Sequence, residues 1–279
     1  MGENNATNGG SEKTLTRREF VTIMVGAGAT VAVAAVLADP LNSVAQSLLG
    51  TDTEVNAEEA PASTGPRWGM VIDLRKCIGC EYCVFACQAT NDVTDEMRWN
   101  VHIMDETPTG NIFHLTRPCL HCNHAPCVSV CPAQATYRRD DGLIIMDYDL
   151  CIGCRYCQVA CPYDARSFNW KAREGASGYQ PEWGNAEVER RPRGVAEKCT
   201  FCIHRIDRGL AQGLVPGVDR PATPACVNIC PVQARIFGDL NDPASPVSQA
   251  IKSLPTFRLR EDLGTEPNVY YVPPEGMAL

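Results

Sequence analysis

After residue 46 the chain has no apolar run that approaches bilayer length, so its body is expected to be peripheral to any membrane. Aromatic residues make up only 7% of 279 positions, while 22 glycines and 20 prolines interrupt the rest. That balance excludes long helices and a large aliphatic core, and predicts many short elements joined by turns. Positive charge is also short: 25 Lys and Arg face 33 Asp and Glu, a net charge of −8 that argues against nucleic acid as a partner. There is no Gly-rich phosphate loop, no His-Glu-x-x-His pair and no Ser–His–Asp set, which leaves the commonest hydrolytic and nucleotide chemistries without carriers. The few histidines, His102, His114, His121, His124 and His204, are read as surface residues or as hydrogen-bonding neighbours of other ligands.

Cysteine is abundant instead. The sixteen cysteines fall into four groups. The third is Cys151-Ile-Gly-Cys154-Arg-Tyr-Cys157-Gln-Val-Ala-Cys161-Pro162, the spacing of a bacterial-type iron–sulfur ligand run. Its first three thiolates share one bowl, with Gly153 letting the backbone turn tightly, and the fourth ligates a neighbouring cluster. The first group is Cys77-Ile-Gly-Cys80-Glu-Tyr-Cys83-Val-Phe-Ala-Cys87. The second, Cys119-Leu-His-Cys122-Asn-His-Ala-Pro-Cys127-Val-Ser-Val-Cys131, has a longer gap before its third cysteine. The fourth is split into Cys199-Thr-Phe-Cys202 and Cys226-Val-Asn-Ile-Cys230. Disulfide scaffolds are usually small, and their cysteines do not cluster as repeated Cys-x-x-Cys. Zinc knuckles have no use for the third and fourth cysteines of each run, which leaves a zinc-knuckle interaction protein as the rival of another class.

The groups repeat. Asp73–Cys87 aligns with Asp147–Cys161 without a gap, and Pro126–Ala135 aligns with Ala225–Ala234. Tyr82 and Tyr156 share a position and are expected to share a packing role; Gln88 stands where the other groups have proline, with a small effect on helix entry expected. Groups two and three, joined by the short stretch 132–150 with its Arg-Asp-Asp-Gly turn, form one two-cluster ferredoxin module, and groups one and four pair around it. With the fourth ligand swapped within each pair, cluster A takes Cys77, Cys80, Cys83 and Cys230. Cluster B takes Cys199, Cys202, Cys226 and Cys87. Cluster C takes Cys119, Cys122, Cys127 and Cys161, and cluster D Cys151, Cys154, Cys157 and Cys131. The fold class is therefore α+β: two fused ferredoxin modules, one nested in the other, carrying four [4Fe-4S] clusters with no iron left open for catalysis.

At the N-terminus, Thr16-Arg17-Arg18-Glu19-Phe20 and the mildly apolar stretch to Ala38 resemble a twin-arginine export signal, with a small-residue cleavage site at Ser43-Val44-Ala45. Export of a folded, cluster-loaded chain fits ligands that must be assembled where thiols stay reduced. The organisation follows: signal segment 1–45, linker 46–66, outer module 67–112 plus 195–245, inner module 113–170, insertion loop 171–194 and C-terminal segment 246–279. The insertion carries Trp183 and the basic run Arg190-Arg-Pro-Arg193, a solvated loop or a docking surface. Short helices are expected over 202–209, ended by Gly209, and over 248–254, and strands over Trp68–Asp73 and Leu143–Asp147.

The cysteine groups, the segment Cys161-Pro-Tyr-Asp-Ala-Arg-Ser-Phe-Asn-Trp170, Glu197-Lys-Cys-Thr-Phe-Cys202 and the tail Phe237-Gly-Asp-Leu-Asn-Asp-Pro243 resemble the four-cluster iron–sulfur subunits of the dimethyl sulfoxide reductase and polysulfide reductase family. The resemblance spans residues 66–272 and is greatest to the exported members. It implies a non-catalytic electron-transfer subunit, working in the periplasm, between an integral-membrane quinone-interacting subunit and a catalytic (molybdopterin-type) or cytochrome subunit. A free periplasmic ferredoxin is the nearer alternative, and an uncleaved signal would anchor the protein. The swapped ligands have a direct consequence. Cys230→Ala is expected to disturb the cluster that Cys77→Ala disturbs, and to spare the one that Cys202→Ala disturbs, as read by paramagnetic resonance of the three reduced variants.

Overall fold

Six residues of unbroken burial, Trp68–Asp73, make the central strand β1. The computed structural model describes residues 65–94 and 96–277. The expected signal segment, and all but the last two residues of the expected linker, lie outside these. Strand β1 pairs antiparallel with β8 (Arg235–Asp239) and parallel with β9 (Val269–Val272), giving a three-stranded sheet in the order β8-β1-β9. A strand flanked on both sides has no polar edge to show, which is why this one reads as a continuous run. Three two-stranded units complete the β structure: the hairpin of β2 (Val101–Glu106) and β3 (Ile112–Arg117), the hairpin of β4 (Thr136–Arg138) and β5 (Ile144–Met146), and the pair β6 (Ser167–Phe168) with β7 (Ala196–Glu197). The expected 143–147 strand is the shorter β5, turned back by Gly142 in a left-handed conformation.

Each cysteine group leads into a helix: α1 (Tyr82–Thr90), α2 (Pro126–Ser129), α3 (Tyr156–Val159) and, after α4 (Ile203–Ala211), α5 (Ala225–Asn228). The repeat seen in sequence is a repeat of backbone. Asp73 and Asp147 each donate N–H to an alanine carbonyl, Ala234 and Ala135, at 2.7 Å in both cases. Helix α1 packs on α5, and α2 on α3.

The expected small effect of Gln88 is corrected. Cys131, Cys161 and Cys230 are followed by proline, which lacks an N–H and collides with the carbonyl four residues back, so α2, α3 and α5 stop after one turn. Gln88 imposes no stop, and α1 runs on for more than two turns to Thr90. The carbonyls this leaves at its C-terminal end are taken up by the insertion. Gln180 Nε2 donates to Ala89 O at 2.8 Å, the Glu187 N–H to Thr90 O at 2.9 Å, and Arg191 Nη1 and Nη2 to Asn91 O and Asp92 O at 2.6 and 2.9 Å. Arg190 grips the Asp92 carboxylate at 2.8 Å, and Arg191, buried, also pairs with Glu197 at 3.1 Å. Two of the three arginines of the basic run are therefore consumed inside the fold, where cations also complement the helix dipole. Trp183 lies 4.7 Å from the ring of Tyr82 and 5.2 Å from that of Phe85. The insertion is a cap on one half of the repeat. Tyr156, at the matching position of the other half, stays 62% exposed, so the two tyrosines do not share a packing role.

The aromatic core runs from Trp68 through Phe237, stacked at 5.9 Å, to Phe201 edge-on at 5.4 Å and the buried His121 ring at 4.0 Å. Helix α6 (Pro246–Ser253), begun by proline at its first position, lays Val247 and Ala250 against Val71 and Val272 of the sheet. It starts two residues earlier than the spacing suggests. Helix α4 differs more: Gly209 lies inside it, and the helix runs on to Ala211. Glycine is needed there for space. A Cβ at Gly209 would stand 2.3 Å from the Cβ and 2.8 Å from the Cα of Ala222. Gly209→Ala gains about 1 kcal/mol of helix propensity but incurs about 1–3 kcal/mol of overpacking against backbone. The expected outcome is a lowered thermal midpoint; a raised one would show that the Ala222 segment yields.

Candidate metal centres

The first and third cysteine groups begin as the same turn. Gly79 and Gly153 have φ of 69° and 71°, and Glu81 and Arg155, each just after the second cysteine of its group, follow at 58° and 62°. Left-handed residues at these two points curl each Cys-x-x-Cys-x-x-Cys stretch, and in the first group all three cysteines line one recess. Glycine is also demanded by neighbours: a Cβ at Gly79 would meet the His114 ring at 2.5 Å, and one at Gly153 the Gly194 carbonyl oxygen at 2.3 Å. His114 is fixed by His102 at 3.0 Å, which in turn meets the Glu81 carboxylate at 2.8 Å, so the β2–β3 hairpin is tied to the first loop.

One recess is lined by Cys77, Cys80, Cys83 and Cys230. A second is lined by Cys119, Cys122, Cys127 and Cys161. Cys87, Cys199, Cys202 and Cys226 are all buried, and the thiols that press electrostatically on Cys87 are Cys199, Cys202 and Cys226, with Cys83 after them. Cys151 and Cys157 are neighbours, Cys154 is exposed, and Cys131 sits at the end of α2, which packs on α3 beside them. Among the described residues no three ligating side chains close on a point tightly enough to share a single metal ion; the sulfurs stand round recesses.

The sulfurs are provided with donors. Cys131 accepts from the Thr136 N–H at 3.4 Å, Cys199 from Phe201 at 3.4 Å and Cys230 from Ala234 at 3.3 Å. Arg235 Nη1 lies 3.5 Å from Cys226 Sγ. Asn91 Nδ2 reaches Cys87 Sγ at 3.6 Å and Cys202 Sγ at 3.7 Å while also donating to Cys87 O at 3.0 Å. These contacts favour thiolates, yet burial opposes them. It pushes the Cys122 and Cys226 thiols up to about 12 and raises Cys87, Cys199 and Cys202 as well. Thiols that are buried, like-charged with their neighbours and ringed by donors suit a metal cluster, whose positive charge deprotonates its ligands outright. The residues present fit iron–sulfur clusters.

Sequence reasoning missed the polar residues between the sulfurs. Asn91 is reached only because α1 continues past Gln88. Arg235, Lys198 and Arg166 are buried cations in segments whose spacing announces only cysteines. Lys198 Nζ donates to Cys199 O at 2.9 Å and to Ile144 O, and burial pushes its pKa down. His121 is fully buried; its Nδ1 accepts from the Ile144 N–H at 3.1 Å, and burial with Lys198 nearby keeps it neutral. It is a core residue.

Comparison with known proteins agrees with this chemistry. Residues 111–177 and 150–234 each match a 4Fe-4S dicluster domain, and residues 68–89 match a 4Fe-4S binding domain. A protein of Halobacterium salinarum described as a candidate iron–sulfur subunit of dimethyl sulfoxide reductase is 43% identical, with 74% of this chain and 78% of that protein covered. The iron–sulfur cluster-binding subunit of menaquinone reductase from Nitratidesulfovibrio vulgaris is 41% identical over 74% of this chain and 88% of its own length. The arsenate respiratory reductase iron–sulfur subunit of a Shewanella species is 39% identical, over 74% of this chain and 96% of its own. With ferredoxin-type dicluster domains on short mixed α and β elements, and with relatives that include the matching subunits of polysulfide and tetrathionate reductases, the chain belongs to the family of iron–sulfur electron-transfer subunits of dimethyl sulfoxide and polysulfide reductase type.

Proposed function

We propose that this protein is the electron relay of an extracytoplasmic respiratory complex, carrying four [4Fe-4S] clusters in the sets A to D. The observation that carries the reading is the gathering of cysteines from distant groups. Cys230 stands with Cys77, Cys80 and Cys83, and Cys161 with Cys119, Cys122 and Cys127. The nested modules rest on the same kind of support: β1 pairs with β8, which follows group four, whereas β4 and β5 lie between groups two and three. Each cluster, when bound, supplies one-electron chemistry at a potential tuned by charge, hydrogen bonds and exposure.

The chain's own residues arrange these sets in line. Helix α1 carries Cys83 of A and Cys87 of B, and α5 carries Cys226 of B with Cys230 of A just past its end; α2 with Cys127 and Cys131, and α3 with Cys157 and Cys161, link C and D in the same way. Set B is wholly buried, while Cys77 and Cys80 of A are partly exposed and Cys154 of D is open. Sets A and D are thus the ends. Exposed apolar side chains surround both: Ile78, Met104 and Ile112 near the first loop, and Ile152, Tyr156, Val159 and Trp170 near the third. Collars of this kind suit partner subunits that must exclude water from a contact. One end would meet an integral-membrane quinone-interacting subunit and the other a catalytic (molybdopterin-type) or cytochrome subunit, in keeping with a menaquinone reductase subunit among the relatives. Export by the twin-arginine route, with the signal cleaved or kept as an anchor, would place the complex outside the cytoplasm.

Anaerobically purified protein should contain iron and acid-labile sulfide in equal amounts at the level four [4Fe-4S] clusters require, and should comigrate from solubilised membranes with a larger complex in mild detergent. A colourless, zinc-loaded chain would overturn the cluster reading; a cluster-loaded chain that runs alone would leave a free ferredoxin. Asn91→Ala removes the amide donor shared by Cys87 and Cys202. The expected outcome is a lower midpoint potential for set B, by on the order of 50 mV, or about tenfold in a one-electron equilibrium, measured by redox titration.

A further inference from the structure

Three cations are buried in this fold with no carboxylate within ion-pair distance among the described residues. Arg235 is 5% exposed, Arg166 3% and Lys198 1%. The fold does supply carboxylates to arginines elsewhere: Arg191 is equally buried and has Glu197, and Arg139 has Asp141 and Asp207. An unpaired buried charge is costly unless something else compensates it. What these three have in common is their place between cysteine sets.

Arg235 lines the recess of Cys77, Cys80, Cys83 and Cys230, and its Nη1 reaches Cys226 Sγ at 3.5 Å. It stands between A and B, held by Asn100 Oδ1 at 3.0 Å. Lys198 joins Cys199, of B, to Ile144, which lines the recess of Cys119, Cys122, Cys127 and Cys161. It stands between B and C. Arg166 lines that same recess and contacts Thr136 Oγ1 at 3.2 Å, and the Thr136 N–H bonds Cys131 Sγ. The Cys127 thiol of C and the Cys157 thiol of D both interact with the Arg166 guanidinium. It stands between C and D.

We propose that Arg235, Lys198 and Arg166 are charge-balancing residues, one at each junction of the relay, each of which raises the reduction potentials of the two clusters it separates. The proposal rests on the four-cluster reading and deepens it. Four thiolates round each cluster leave net negative charge, and reduction adds more; a fixed cation at the junction favours the reduced state on both sides. Because each cation is shared, removing it moves the potentials of the two clusters it separates in the same direction. A cation on the protein surface would be screened by solvent and would lack this reach. The assignment requires only that the charge be present; no change of protonation is involved.

Redox titration of the purified holoprotein, with signals assigned through the cysteine variants, tests this. Arg235→Gln should lower A and B together and leave C and D in place, Lys198→Gln should lower B and C, and Arg166→Gln should lower C and D. Arg235→Lys, which keeps the charge, should leave A and B near their original values. Neutral variants that keep all clusters at unchanged potentials would overturn the proposal, as would a shift spread equally over all four. If Arg235→Gln loses iron while Arg235→Lys retains it, charge decides whether the clusters are held at all, and the proposal stands. Iron loss from both would put side-chain shape in control and overturn it. Iron and sulfide analysis of the unaltered protein separates these results from failure of the four-cluster reading itself, which would show as absence of clusters before any substitution.

Discussion

The constraint on which the rest of this structure depends is the desolvation of sulfur. Most of the sixteen cysteines are out of water, in sets that would repel one another as thiolates. A chain with few aromatics and short helices has little apolar area with which to offset that cost. Cluster ligation resolves both difficulties, since it removes the thiol protons and makes metal binding part of the folding free energy. The short elements then make sense as holders. A strand delivers the chain, a left-handed turn aims three sulfurs, and one turn of helix carries the fourth to the neighbouring set.

Repetition supplies the holders and asymmetry adapts them. Both halves keep the aspartate-to-alanine backbone bond and the glycine turn. They part at one residue. Where proline stops three helices, Gln88 lets α1 continue, and the continuation does two things: it brings Asn91 to the sulfurs of Cys87 and Cys202, and it exposes carbonyls that the 171–194 insertion covers. The insertion lays Trp183 and Tyr179 on Phe85 of the group-one helix, while the group-three side keeps Tyr156, Val159 and Trp170 open. A single missing proline thereby separates a helix capped by the insertion from one that is not.

Charge follows the same logic of position. The arginines visible in the sequence as a basic run turn inward to cap a helix and meet Glu197, leaving no broad positive surface there. The cations nearest the sulfurs are others, scattered at positions 166, 198 and 235, and their company is carbonyl, amide, hydroxyl and sulfur. In such surroundings the field of a full charge is weakly screened, so a few residues can act on every centre in the relay.

The sequence by itself determined the chemistry. Cys-x-x-Cys-x-x-Cys spacing, the gapless repeat and the proline after three of the fourth cysteines are local facts, and local geometry is enough to aim sulfurs and end helices. It also located β1 and the β4–β5 turn, because burial on both faces and a glycine turn leave marks in a few residues. Tertiary structure alone decided what lies between the sulfurs. That Gly209 answers to Ala222, that Arg191 answers to Asn91, and that Arg235 reaches Cys226 from the rim of the Cys77 recess are contacts that depend on packing. No periodicity encodes them, because a polar side chain buried against a distant segment looks in sequence like one that faces water.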